Sequence, residues 1–87
     1  MVSKKILKKE TRVFQVIKSG VVLEMQKEPE GGYTVTVPSL PGCISYGETF
    51  EASLENIKDA MEGWLSVARA EGVPIPEQFE GMKAVAL

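Results

Sequence analysis

The spacing of apolar residues changes once along this chain, from a period of two to a period of about 3.6. Between residues 21 and 37, apolar side chains alternate with polar ones in the stretches VVLEMQKE and YTVTVP. After residue 49 they recur every three or four positions as far as residue 71. Alternation turns one face of a strand towards a core, and the longer period does the same for a helix. The pattern predicts an α+β fold, in which one long helix packs across one face of an antiparallel sheet.

Four strands are predicted before the helix. They are placed at residues 11–17, 21–28, 33–37 and 43–46. The last six residues, MKAVAL, are a candidate fifth strand at a sheet edge. Six apolar residues of the second and third strands are expected to face inward: Val21, Leu23, Met25, Tyr33, Val35 and Val37.

The helix is predicted to begin after Thr49 and to end near Glu71. Thr49 is a suitable N-cap, and Gly72 provides a stop signal. Seven residues at helical spacing form the expected core stripe: Phe50, Leu54, Ile57, Met61, Trp64, Leu65 and Ala68. With 87 residues the chain fits a single domain, here placed at residues 11–87 behind a basic, flexible arm at residues 1–10.

A turn-rich segment, VPSLPGCISYGET, separates the third strand from the helix. We interpret six of its residues as structural: Pro38, Pro41, Gly42, Cys43, Gly47 and Thr49. Cys43 is the single cysteine and the chain has no histidine, which excludes a cysteine–histidine nucleophile and most zinc sites. A small packed cysteine is the favoured interpretation of Cys43, and a reactive thiol stabilised by a lysine or a helix end is the alternative.

Four carboxylates cluster on a helix face beside the core stripe, and we refer to them as the acidic ridge. They are Glu51, Glu55, Asp59 and Glu62. The ridge spans three turns and does not converge on a point, so a metal site is the least favoured of three interpretations. A solvated face is the simplest one, and a surface that binds a partner is the functional one. No catalytic residue, metal or cofactor is expected.

The net charge of −2 conceals an asymmetry between the start of the chain and the rest. Six of the ten basic residues, but only one of the twelve acidic residues, fall within residues 1–20. An acidic body suits a basic protein partner better than a nucleic acid. No apolar run approaches the roughly 20 residues of a membrane span, and no signal-peptide core is evident. We therefore expect a cytoplasmic protein, and its thin core favours a homo-oligomer, either a dimer or a tetramer.

The order of these pieces resembles the HicB-like antitoxin family. The resemblance rests on the stretch EGGYTVTVPSLPGCISYGETFEASLENIKDAMEGWL and covers roughly residues 21–76. Its hallmarks are a glycine-pair hairpin, a strand that runs into V-P-x-L-P-G-C, a short strand, G-x-T, and a helix rich in small and acidic residues.

The resemblance implies a truncated ribonuclease H-like fold without the nuclease carboxylates. It also implies a partner, a small basic HicA-like toxin that cleaves RNA with a histidine and that the antitoxin occludes. Many members carry an added DNA-binding module, for which this chain has no room, so direct DNA binding is not expected.

Two other functions remain open from the sequence. The first is an orphan oligomeric scaffold or regulatory protein of the same fold with no toxin partner. The second is a residual metal-dependent ribonuclease, whose activity would have to be lost on Glu24→Gln.

Overall fold

The computed structural model describes residues 12–80 and residue 87. The predicted arm at residues 1–10 and all but the last residue of the predicted tail strand lie outside this range. The described chain has four strands, β1 Arg12–Lys18, β2 Val21–Lys27, β3 Tyr33–Thr36 and β4 Ile44–Gly47. One long helix, α1 Phe50–Glu71, and a short 3₁₀ turn, Glu77–Phe79, follow. The predicted α+β architecture is confirmed.

The strands form one antiparallel meander in the order β1-β2-β3-β4. A two-residue turn joins β1 to β2, and both of its residues have positive φ, 52° at Ser19 and 80° at Gly20. Such a turn matches the right-handed twist of the strands it joins. It fixes the register that pairs Lys18 with Val21 and Arg12 with Lys27. Among the described strands, β1 and β4 are therefore the two outermost.

The core lies between the sheet and α1. Five of the six residues predicted to face inward are buried, and the sixth, Tyr33, is half-buried and packs edge-to-face against Phe50 at 5.9 Å between ring centroids. The backbone of α1 runs over β4 and β3, whereas β1 and β2 lie farther from it. Phe79, from the 3₁₀ turn, also reaches the core and was not predicted to do so.

The first turn of α1 lies against the backbone of β4. Gly47 is buried there, and a methyl group added to it would fall on the backbone of Ser53. Ser53 is fully buried and donates a hydrogen bond from its hydroxyl to the Phe50 carbonyl at 2.7 Å. The predicted stripe therefore missed one member, because only a small side chain fits where the helix meets β4. Three residues predicted as core are half-buried and pack against its margin: Phe50, Leu54 and Trp64.

The segment between β3 and β4 is a compact loop that carries its own apolar anchor. Its backbone is closed by bonds from Val37 N to Cys43 O at 3.0 Å and from Cys43 N to Leu40 O at 2.9 Å. Leu40 is completely buried, while Pro38 and Pro41 are exposed. Leu40 is thus the apolar side chain that anchors the loop, while the proline rings lie at the surface.

Side-chain bonds fix α1 at its start and in its middle, and a backbone bond from Gly72 N–H to the Ala68 carbonyl closes its end. Thr49 is the N-cap, as predicted, and its hydroxyl accepts a bond from Ala52 N at 3.0 Å. Gly72 is the C-cap, also as predicted. Between them, Trp64 Nε1 donates to the Pro41 carbonyl at 2.9 Å, which ties the helix to the β3–β4 loop.

Alanine substitutions at two glycines should have opposite effects on stability. Gly47→Ala forces a methyl group against backbone atoms and should lower the free energy of unfolding by about 3 kcal/mol. Gly63→Ala is the matched control, because position 63 in α1 opens onto empty space. It should raise stability by about 0.5–1 kcal/mol through helix propensity. Urea unfolding measures both, and a neutral Gly47→Ala would contradict the close contact.

The buried thiol of Cys43 should make stability depend on alkaline pH. Burial raises its pKa above the ordinary value of 9.0, so the unfolded chain loses the thiol proton at a lower pH than the folded chain does. The stability contributed by the neutral thiol is therefore complete below pH 9 and is lost as the pH rises towards the folded pKa.

Urea unfolding of the natural chain and of Cys43→Ala at about pH 7 and about pH 10 tests this sign. We expect the natural chain to be the more stable at neutral pH, by about 1 kcal/mol, and the difference to shrink at alkaline pH. A constant difference would show that the thiol ionises as readily in the folded protein as in the unfolded one, and a growing difference would show that it ionises more readily; either contradicts the raised pKa.

Candidate partner-binding surface

The acidic ridge runs along one flank of α1. Glu51, Glu55 and Asp59 are exposed, and Glu62 is half-buried. At 100° per residue, the four positions lie within a sector of about 80° beside the core-facing stripe. The structure therefore places all four predicted residues on one continuous side of the helix.

Two lysines lie beside the middle of the ridge. Lys18, at the end of β1, and Lys58, on α1, line a cavity of about 290 Å³ together with Glu55 and Asp59. Their charge offsets part of the negative potential there, so the ridge is most negative towards Glu51. The sequence did not predict that Lys18 adds positive charge beside the ridge, because this depends on how the β1–β2 hairpin lies against α1.

The opposite flank of α1 borders an open apolar groove of about 540 Å³. Ile44, Val67 and Val73 line it and are 57%, 56% and 43% exposed. Trp64 contributes the largest ring, and none of the described residues that line the groove is charged. These residues offer apolar contact area but no charge that would select a basic partner.

The open edge of β4 lies between the groove and the β2–β3 loop. Tyr46 donates a hydrogen bond from its hydroxyl to the Gly31 carbonyl at 3.2 Å. Its own carbonyl accepts a bond from Asn56 Nδ2 at 2.7 Å. In the same loop region, Thr34 Oγ1 donates to Glu28 Oε2 at 2.6 Å. The Asn56 side chain of α1 thus occupies part of this edge.

Within residues 12–80, the structure brings together no group of three or more histidine, cysteine, aspartate or glutamate side chains that could hold a metal ion. Cys43 lies in the wall of the groove but is only 3% exposed. Burial also raises the pKa of its thiol, which disfavours the nucleophilic thiolate at neutral pH. The packed interpretation of Cys43 is therefore the one that fits the structure.

The six residues interpreted as structural surround the start of α1 and the loop that precedes it. Gly47 and Thr49 contact or cap the first turn, and Pro41 accepts the bond from Trp64. Among the described residues, no helix combines the length and apolar character needed to cross a bilayer.

Curated relatives come from distant bacteria and archaea. A UPF0150 protein of Synechocystis is 41% identical over 54 residues, which are 62% of this chain and 68% of the relative. A UPF0150 protein of Thermoplasma acidophilum is 38% identical over 50 residues, or 58% and 72% of the two chains. One from Helicobacter pylori is 42% identical over 45 residues, or 52% and 62%. No solved structure matches the chain.

The family model described as HicB-like antitoxin of bacterial toxin–antitoxin systems matches residues 20–85. That span begins at the turn before β2 and includes the β3–β4 loop and all of α1. The chain belongs to the HicB-like antitoxin family.

Proposed function

We propose that this chain is a cytoplasmic antitoxin that binds a small basic RNA-cleaving toxin of the HicA type and covers its RNA-contacting surface. Membership of the antitoxin family supports a binding role rather than a catalytic one. The observation that carries the proposal further is the alignment of Glu51, Glu55 and Asp59, all exposed, along one flank of α1.

Alignment of like charges on a helix has an energetic cost in the free protein. Each carboxylate pair spaced four residues apart, such as Glu51–Glu55 and Glu55–Asp59, destabilises a helix by about 0.2–0.5 kcal/mol. Lys58 relieves part of this repulsion near Asp59 and leaves the Glu51 end with less relief. A basic partner would remove the remaining repulsion and would be steered towards the ridge by its field.

Occlusion requires no reactive group on the antitoxin itself. An RNA-cleaving toxin must present basic side chains to phosphate, since phosphate neutralisation supplies most of the affinity for RNA. A row of carboxylates on a rigid helix can compete for the same side chains. This accounts for a protein that has an acidic body and no histidine.

The existence of a toxin partner is tested by expression with the product of the adjacent reading frame. We expect that frame to encode a small, basic, histidine-containing protein that arrests growth alone and is captured by this chain. A stable oligomer with no such neighbour and no growth rescue would favour the orphan scaffold.

Charge reversal on the ridge should weaken binding of the captured toxin. The double variant Glu51→Lys, Glu55→Lys replaces attraction by repulsion at two exposed sites and should raise the Kd about tenfold. The effect should appear mainly in the association rate. It should shrink at high salt, because both positions are exposed to solvent and dissolved ions screen their charge. Surface plasmon resonance at about 50 and 300 mM salt measures both.

A matched control keeps the net charge change but moves it elsewhere. Glu71→Lys, Glu77→Lys alters two exposed glutamates at the far end of α1 and in the 3₁₀ turn. We expect this variant to retain at least half of the natural affinity. Equal losses in the two double variants would mean that net charge, and not the ridge, governs binding.

A further inference from the structure

β1 is the outermost described strand on the side of the sheet away from β4, and the backbone of α1 lies farther from it than from β3 and β4. It pairs with β2 on one side and has no second neighbour among the described strands. Val13 and Ile17 are 57% and 68% exposed, and Phe14 is 39% exposed. An edge strand of seven residues with this much apolar surface is a template for pairing with another strand.

Both faces of β1 are apolar, which is unusual for a strand covered on one side only. The register places Phe14 opposite Met25 and Val16 opposite Leu23, so these two side chains point to the core face. Ile17 lies opposite Val22 on the outer face, and Val13 shares that face. A strand that is apolar on both sides is typical of the interior of a sheet.

We propose that β1 pairs antiparallel with β1 of a second copy, about a two-fold axis that passes between the two Gln15 residues. The two four-stranded sheets then become one eight-stranded sheet with β1 at its centre. The partner is a second copy of this chain, and no toxin is needed for the pairing.

Self-complementarity of the strand selects this register. The axis sets Val13 opposite Ile17 of the second copy on the outer face and Phe14 opposite Val16 on the core face. Both apolar pairs occur twice, and Gln15 meets its own copy. A slip of two residues in one direction sets Val16 opposite Arg12, and a slip in the other sets Phe14 opposite Lys18, so either slip places a charge against an apolar side chain.

The carboxylates of the acidic ridge offset the positive charges that this register brings together at the two ends of β1. The register sets Arg12 of the second copy opposite Lys18, which is a like-charge pair. Lys18 shares a cavity with Glu55, Asp59 and Lys58, and the exposed Glu51 lies on the same flank of α1. These three carboxylates against two lysines leave a net negative surface for the incoming guanidinium.

The other edge of the sheet is less suited to strand pairing. On β4 the Tyr46 carbonyl already accepts a bond from Asn56, and the Tyr46 ring lies over Gly32 with its hydroxyl bonded to Gly31. Pairing of β1 with β4 of another copy would also leave one edge open at each end and would grow without closing. Pairing of β1 with itself closes as a dimer.

Sedimentation equilibrium of the full chain without toxin tests the proposal. We expect a dimer, and Ile17→Lys should raise its dissociation constant at least tenfold, while circular dichroism shows that the variant is folded. The control Ile44→Lys introduces the same charge on the same sheet face at the β4 edge, where Ile44 is 57% exposed. It should leave the dimer unchanged.

A second variant tests the register and distinguishes it from the general effect of removing apolar surface from β1. In Val13→Glu, Ile17→Lys, the carboxylate at position 13 faces the ammonium at position 17 of the second copy in both pairs. The two positions lie about 13 Å apart within one strand, so the pair forms across the interface only. This double variant should recover dimerisation relative to Ile17→Lys.

Three results would overturn the proposal. The first is a natural chain that is monomeric at about 100 μM. The second is a dimer that is dissociated by Ile44→Lys but not by Ile17→Lys. The third is a double variant whose dimer dissociation constant is no lower than that of Ile17→Lys. None of them tests the direct contacts of the ridge with a toxin, which are measured separately with the ridge variants.

Discussion

The contact between Gly47 and the first turn of α1 determines where the helix lies on the sheet. Because a glycine stands on β4 and a serine faces it, the two backbones approach more closely than any larger side chain would allow. The helix is therefore drawn towards β4 and β3, and its backbone lies farther from the first two strands. The bond from Trp64 to the β3–β4 loop holds the same arrangement farther along the helix. This placement agrees with the 39% exposure of Phe14 on the core face of β1.

Local signals in the sequence were sufficient for the architecture. Alternation gave β2 and β3, and the Thr49 and Gly72 signals gave both ends of α1, because each depends on a few neighbouring residues. Ser53 and Phe79 were missed as core residues, since a buried serine is explained only by the nearness of Gly47 and a buried phenylalanine only by the return of the chain after α1. The ribonuclease H-like resemblance stays a prediction.

The candidate site likewise has parts that could be predicted from the sequence and parts that could not. The shared flank of the four ridge carboxylates follows from helical geometry alone and could be predicted. Lys18 could not be placed beside Glu55 and Asp59 from sequence, because thirty-six residues or more separate them along the chain. The groove also depends on tertiary structure, since it forms between the loop, the helix and Val73. Charge reversal on the ridge, compared with the displaced control, measures whether the ridge binds a partner.

The two proposals fit together in space. A two-fold axis perpendicular to the sheet keeps both helices on the same face, and the flank that carries Glu55 and Asp59 is the one nearest the end of β1. In the proposed dimer the two ridges therefore face each other across the paired β1 strands. A basic toxin that approached this face would meet carboxylates from both copies, so dimerisation would raise the local negative charge without any new acidic residue. Toxin affinity should then fall with dimer dissociation even when every ridge carboxylate is intact, and Ile17→Lys, which alters no carboxylate, separates this coupling from the direct effect of the ridge.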